Sequence, residues 1–547
     1  MTTNMDTLES KRAATESTPL LCSTHASHKC ASYPWLAQGA DSEDMTRSTE
    51  SRVARIRIAL LSSGGLCLLL IWFCALSSNV DAAWIVKLVI GQQSSARASH
   101  LASRSVSSTY AYQRMLANIG GASSTVGDNQ VPNVETGAVI ASPSTAHPDY
   151  LYSWVRDAAL TIKVVISQPT LDRTLVTNYA NAEYTHQQNA ARSAAGQGEP
   201  KFNVDGSLFT GAWGRPQNDG AALRASALMA FAKRIGLNDS FTTGTLYKRE
   251  LGSPSLIKTD LEYVAHHWQD SSFDLWEEVE GAHFFTLIVQ WRSMVDGAKF
   301  ASAINDAGAA SYYDQQAAEM LVKLQSFWDA DKGYVQAYQG VGNRDGIDCS
   351  VLLGSLKGWD TTDYNAAVNA TLFGPASDKV LATHKKYVDA FRSMYAINGG
   401  AAAPAAVATG RYPSDVYDGD GTSQANPWYI CTLAAAEVLN TALSIVRARG
   451  SLEITSTSLA FYRQFASSAT TGSFSSTSDQ YITLTTAIKR MADGFVQIVN
   501  QHAWHNGSLN EQFNRNTGFN QGARDLTWSY AAFVTNDWAS HNMFLVT

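Results

Sequence analysis

The stretch Leu484-Thr485-Thr486-Ala487-Ile488-Lys489-Arg490-Met491-Ala492-Asp493-Gly494-Phe495-Val496-Gln497-Ile498 sets Leu484, Ile488, Met491, Phe495 and Ile498 three or four residues apart. On a helix of 3.6 residues per turn these form one stripe, the mark of a helix half-buried against a core. The same period recurs in Phe284, Ile288, Trp291 and Val295, in Ala435, Leu439, Leu443 and Val446, and in Ala317, Leu321, Leu324 and Trp328. Alternating strand patterns are scarce. Between the helices lie loops dense in Gly, Pro, Asp, Asn and Trp, where binding and chemistry usually concentrate. The expected fold class is all-α, in one domain over residues 106–547.

Composition narrows what such a domain does. Charged residues make up only 16% of the 547, while aromatics reach 10%, with 14 Trp and 22 Tyr. That bias suits a large core or an aromatic-lined cleft for a neutral polar ligand. A net charge of −7 and a pI near 6.0 argue against nucleic acid as partner. The cysteines are Cys22, Cys30, Cys67, Cys74, Cys349 and Cys431. None has metal-ligand spacing with histidine, and only the last two fall in the globular part, so no disulfide framework is required. Nothing in the sequence calls for a metal, a cofactor or an obligate oligomer, and a monomer is expected.

The N-terminal region reads differently. Residues 1–51 are polar, rich in Ser and Thr and without period, which predicts a disordered tail. Arg52, Arg55 and Arg57 precede an uncharged run over 58–80, long enough to span a bilayer. Basic residues on that side predict a type II signal anchor with the C-terminal part exported. The competing reading is a signal peptide cut near Val80-Asp81-Ala82, giving a secreted protein. Residues 81–105 read as a linker, and a vacuolar lumen is a third destination. Sequons at Asn238, Asn369 and Asn506 are compatible with export.

Several loops carry the chemistry. Phe273-Asp274-Leu275-Trp276-Glu277-Glu278-Val279-Glu280-Gly281 packs carboxylates around a tryptophan. On a helix turn Asp274 would share a face with Glu277 and Glu278, and mutual repulsion would keep one protonated as a general acid. The same spacing also suits a solvated, N-capping acidic turn. Late in the chain, Glu511 in Gly507-Ser508-Leu509-Asn510-Glu511-Gln512-Phe513 is placed to face that cluster and activate a water. Tyr150-Leu151-Tyr152-Ser153-Trp154-Val155-Arg156-Asp157 joins aromatics to an Arg–Asp pair able to bind neighbouring hydroxyls of one sugar. A structural Arg–Asp pair pinning a helix start is the alternative. Gly211-Ala212-Trp213-Gly214-Arg215-Pro216-Gln217-Asn218-Asp219-Gly220 is a loop that would present Trp213 and Arg215. Gly410-Arg411-Tyr412-Pro413-Ser414-Asp415, Asn426-Pro427-Trp428 and Asp525-Leu526-Thr527-Trp528-Ser529-Tyr530 complete the set.

In this order the motifs closely resemble glycoside hydrolase family 15, the fungal glucoamylases, over about 110–535. Ala141-Ser142-Pro143-Ser144-Thr145 and Gly198-Glu199-Pro200-Lys201-Phe202-Asn203-Val204-Asp205 belong to the same resemblance. It implies an (α/α)6 barrel, six inner helices ringed by six outer ones, with the site in a funnel at one end. It also implies exo-acting, inverting release of β-glucose from the non-reducing ends of starch, glycogen or maltooligosaccharides, with α-1,6 bonds cut more slowly. Glu277 then matches the general acid and Glu511 the general base. Arg156 and Asp157 match the pair that grips the terminal glucose, while Arg411 and Glu278 look like further subsite ligands. Tyr150, Trp213 and Trp528 match aromatic walls, Asp274 a neighbour that tunes the acid, and Arg215 a substrate contact.

This sequence departs from the family pattern in its N-terminal tail and hydrophobic run, in missing cysteines, in a longer loop between Asp415 and Asn426, and in ending at Thr547 without a starch-binding module. The alternatives are a related enzyme acting on trehalose or isomaltosaccharides, or a non-catalytic glucan-binding domain. The latter predicts a missing acid or base.

Overall fold

A computed structural model describes residues 106–126, 133–342 and 344–547. The tail, hydrophobic run and linker expected over 1–105 lie outside the described residues. Within them are twelve helices of nine residues or more. In chain order they are α1 (Ser108–Leu116), α2 (Val155–Ile166), α3 (Arg173–Ala190), α4 (Gly220–Ile235), α5 (Leu256–His267) and α6 (Phe284–Ala303). Then follow α7 (Ala307–Gln325), α8 (Cys349–Gly358), α9 (Asp378–Phe391), α10 (Tyr429–Arg449), α11 (Asp479–His502) and α12 (Thr527–Ser540).

The even-numbered helices pack in a closed ring, α2 on α4, α4 on α6, and so on through α10 on α12, with α12 returning to α2. The odd-numbered helices lie outside, α7 against α6, α11 against α10 and α1 against α12. This is the (α/α)6 barrel. The division follows from side-chain chemistry. A helix surrounded by others must be apolar or small all round. In α10 every residue from Tyr429 to Val446 is buried, and in α4 the run from Gly220 to Ala232 is buried, with Ala221, Ala222, Ala225, Ala227, Ala230 and Ala232 allowing close approach. Helix α10 is long and apolar enough to cross a membrane, but its burial makes it a core helix.

The outer helices keep a single stripe. In α11 the buried residues include Leu484, Ile488, Met491, Phe495 and Val499, so Val499 takes the seat expected for Ile498, which is only half-buried. Helix α7 ends at Gln325 with Met320 and Leu324 buried. Trp328, expected to extend its stripe, instead lies in a two-residue strand. The stripes begun by Phe284 and Ala435 belong to inner helices α6 and α10, buried on nearly all sides rather than on one.

Short antiparallel pairs brace the loops that enter the inner helices. Strand β1 (Ser153–Trp154) pairs with β2 (Lys201–Phe202), and β3 (Ser272–Phe273) with β4 (Glu280–His283). Strand β5 (Gln512–Phe513) pairs with β6 (Asn520–Gln521). Each chemistry-bearing motif therefore sits just before the N-terminus of an inner helix, and the closed ring gathers those motifs.

Candidate active site

The acidic cluster is not helical. Residues 274–279 form the turn between β3 and β4. Asp274 organises it, its Oδ1 accepting from the backbone N–H of Glu278 at 2.8 Å and of Val279 at 3.1 Å. The shared helical face expected of Asp274, Glu277 and Glu278 is thus replaced by a hairpin turn. Asp274 is buried and spent on it, its other oxygen 3.5 Å from Arg344. Glu277 adopts φ +67°, a conformation that costs a residue with a side chain and is kept where the surroundings over-determine it.

Those surroundings are specific. Glu277 Oε1 accepts from the Trp154 indole at 2.6 Å, Gln217 Nε2 at 3.1 Å and Arg156 Nη2 at 3.4 Å. Its Oε2 accepts from the Trp213 indole at 2.9 Å. Four donors, from the entry to α2, the first turn of α2 and the loop before α4, fix this carboxylate. Arg156 is in turn held by Gln217 Oε1 at 3.0 Å and Asp219 at 2.9 Å, with Asp157 at 3.6 Å. Burial pushes the Asp157 carboxyl up to about 7, with Glu277 and Asp219 adding to the rise and Arg156 opposing it.

Glu278 points to another set. Its Oε1 accepts from Arg411 at 2.7 Å, and its Oε2 from Arg344 and from the Tyr412 hydroxyl, both at 2.5 Å. Burial alone would raise its pKa, but Arg411 and Arg344 outweigh it and hold the carboxyl below its ordinary value. Repulsion within the acidic cluster, expected from the sequence to keep one member protonated, is therefore not what governs Glu278. Arg411 also pairs with Asp415 at 2.6 Å and lies 5.2 Å from the ring centroids of both Tyr417 and Trp428.

Glu511 is fully buried. Its Oε2 accepts from Gln512 Nε2 at 3.2 Å, while its Oε1 has no hydrogen-bond partner. Burial pushes this carboxyl up to about 8, with the nearby Tyr150 hydroxyl and Arg411 opposing. A Cβ at Gly522, which has φ +69°, would stand 2.4 Å from Glu511 Oε2, so glycine is needed there. Tyr150 ties the two carboxylate regions together. Its ring is 5.5 Å from that of Trp154, its hydroxyl 3.1 Å from that of Tyr417, and Glu511 acts on its ionisation.

Not every expected residue joins this cluster. Arg215 binds Glu199 at 2.7 Å and the carbonyls of Phe209 and Gly211 at 2.7 and 3.0 Å, so it pins its own loop. Trp528 is buried in α12, and its side chain makes no aromatic pair or hydrogen bond among the described residues. Conversely, Trp154, Gln217, Asp219, Tyr412 and Tyr417 stand in or beside the motifs without their roles being readable there. Arg344 lies in no motif at all. Lys201, within the Gly198–Asp205 motif, is enclosed by the rings of Trp213, Phe209, Tyr152 and Trp154, its Nζ 3.3, 4.0, 4.2 and 4.6 Å from their centroids. Burial lowers its pKa to about 8.

The model of the glycosyl hydrolases family 15 matches residues 122–537. The chain belongs to that family. Glucoamylase-1 of Schizophyllum commune is 41% identical over 442 residues, 79% of this chain and 72% of that protein. The glucoamylase of Neurospora crassa is 39% identical, covering 78% of this chain and 66% of its own length. Among solved structures, the family 15 glucoamylase of Hypocrea jecorina superposes with TM-score 0.73 at 39% identity, over 80% of this chain and 71% of that one. The glucoamylase of Hormoconis resinae gives TM-score 0.72 at 37% identity, over 82% and 74%. The family 15 chain thus carries its carboxylates on the barrel expected of it.

Proposed function

We propose that this chain is a glucan 1,4-α-glucosidase, an exo-acting inverting hydrolase that releases β-glucose from the non-reducing ends of starch, glycogen or maltooligosaccharides. The observation that carries the reading is the pair of carboxylates in one aromatic cluster, Glu277 held by four donors and Glu511 with an oxygen left free. Buried polar atoms are rarely left unpaired in a folded protein. Here Glu511 Oε1, Asn510 Oδ1 and the Trp428 indole N–H have no hydrogen-bond partner, as suits a pocket completed by water and sugar hydroxyls.

In the proposed mechanism Glu277 donates its proton to the glycosidic oxygen, and Glu511 takes a proton from the water that attacks the anomeric carbon from the opposite face. Arg156 and Asp157 bind hydroxyls of the terminal glucose, Arg411 and Glu278 those of the next unit, and Tyr150 and Trp213 wall the pocket. Asp274 holds the turn that aims Glu277. No bound metal or cofactor takes part in this scheme. The catalytic domain works outside the cytosol, secreted or tethered through residues 58–80.

One observation favours reversing the two roles. Glu511 is the carboxyl that burial favours in its protonated form, as a general acid requires. Kinetics separate the two readings. α-Glucosyl fluoride needs no proton on its leaving group, so removing the acid spares its hydrolysis, whereas removing the base abolishes it until azide replaces the water. Glu277→Ala should keep fluoride hydrolysis and Glu511→Ala should lose it; the opposite pattern reverses the assignment. Proton NMR of maltoheptaose digestion tests the reading as a whole. Early β-glucose without internal fragments is expected, and early α-glucose would overturn inversion.

A further inference from the structure

Behind the catalytic hairpin lies a cavity of about 650 Å³, within the range of small-molecule sites, roughly 300–1,000 Å³. None of the residues that contact Glu277, Glu278 or Glu511 lines it. Its floor is polar and mostly uncharged, made of Asn218, Thr286 and Gln290 with His283, and Trp268 and Leu287 supply apolar surface. Two buried polar atoms of that lining, Thr286 Oγ1 and His283 Nδ1, have no hydrogen-bond partner. Gln290 gives its Nε2 to the Asn218 carbonyl at 3.0 Å, and its Oε1 accepts no hydrogen bond among the described residues. The Trp268 indole N–H is occupied by Gln316 at 2.8 Å, which fixes the half-buried ring and leaves it to offer a face rather than a donor.

The chemistry of the lining selects among ligands. A phosphate or nucleotide needs clustered cations, yet the one lysine of the rim, Lys323, already binds Gln339 at 2.8 Å. A lipid would strand the polar floor. The rim's other charged groups, Asp270 and Glu280, are acids opposite in sign to Lys323, so no cationic patch is presented. A neutral, polyhydroxylated molecule satisfies both the floor and the tryptophan.

We propose that this cavity is a second carbohydrate site, taking a short gluco-oligosaccharide on the reverse side of the hairpin whose turn carries Glu277. The inference rests on the glucan reading above. The two sites share structure. Ser272 and Glu280–His283 of β3 and β4 line the cavity while the turn between those strands bears Glu277 and Glu278, and Asn218 stands between Gln217 and Asp219. A glucan chain held there stays beside the enzyme without occupying the catalytic pocket.

Equilibrium dialysis with radiolabelled maltotriose at millimolar concentration, on the full-length Glu277→Gln protein, tests the proposal. Two molecules bound per chain are expected. Adding Ala282→Trp, at an exposed lining position on β4, should reduce this to one. Ser271→Trp, at an exposed position of the same rim, should do the same and guards against a misfolded first variant. In the otherwise intact enzyme both substitutions should leave kcat on maltose within twofold. One molecule per chain in the Glu277→Gln protein, or two persisting in both tryptophan variants, overturns the second site. If the intact enzyme also releases no glucose from maltoheptaose, the glucan reading itself has failed. Glucose release with a stoichiometry of one removes the second site alone.

Discussion

Replacing Glu511 by glutamine should abolish turnover and at the same time stabilise the protein at neutral pH. The carboxyl is wholly buried and retains its proton up to about pH 8, against 4.5 for the ordinary group. Between those values the unfolded chain ionises Glu511 while the native chain does not, so the native state binds more protons. Stability then falls as pH rises through this window. At pH 7 the difference spans about 2.5 pKa units, or about 3 kcal/mol at 1.36 kcal/mol per unit. At pH 4 it is near zero. Glutamine has the same shape and no charge to desolvate, so the variant escapes the loss. For a domain of roughly 440 residues the unfolding entropy is about 0.9 kcal/mol/K, and the gain at pH 7 corresponds to about 3 °C in Tm. Differential scanning calorimetry of wild type and Glu511→Gln at pH 4 and pH 7 measures this directly. Asp157 and Asp348, also raised by burial to about 7, contribute to both proteins and cancel in the difference. A Tm difference that is the same at both pH values, or a variant less stable than wild type at pH 7, would refute the reasoning.

Trp213→Phe keeps an aromatic ring but removes the donor to Glu277 Oε2; leaving a buried acceptor without its partner costs about 1–3 kcal/mol, so kcat should fall roughly 5- to 100-fold, and a loss under threefold would show that the indole only fills space. Arg344→Met removes a partner of Glu278 and Asp274. Because the Glu278 pKa is depressed in the native state, its stabilisation is present above about pH 4.5 and lost on acidification. Urea unfolding should therefore show the variant weakened by about 3 kcal/mol at pH 7, with the gap to wild type narrowing as the pH falls below about 4.5; parallel curves would contradict the pairing. Gly522→Ala drives a Cβ into the Glu511 carboxylate at a left-handed φ, and steady-state kinetics should show kcat reduced at least tenfold with circular dichroism unchanged. Full activity in that variant would mean that the 522 backbone gives way.

The sequence determined a good deal by itself. Apolar residues at helical spacing gave the all-α class, because period is a local property, and the family resemblance carried by the loop motifs implied the barrel. It misjudged what local pattern cannot encode. Asp274, Glu277 and Glu278 have the spacing of a helical face, yet the pairing of β3 with β4 turns that segment into a hairpin. Half-buried and fully buried helices share the same stripe, so only the packing of α6 and α10 into the ring separated them from α11. The electrostatics were decided at longer range still. Trp154 reaches Glu277 across 123 residues and Arg411 reaches Glu278 across 133, and Arg344, in no motif, fixes the charge of Glu278. Arg215, which the motif offered to substrate, is consumed by its own loop. A carboxyl's charge depends on the burial and partners that folding assembles around it, and that environment exists only once the ring has closed α12 onto α2.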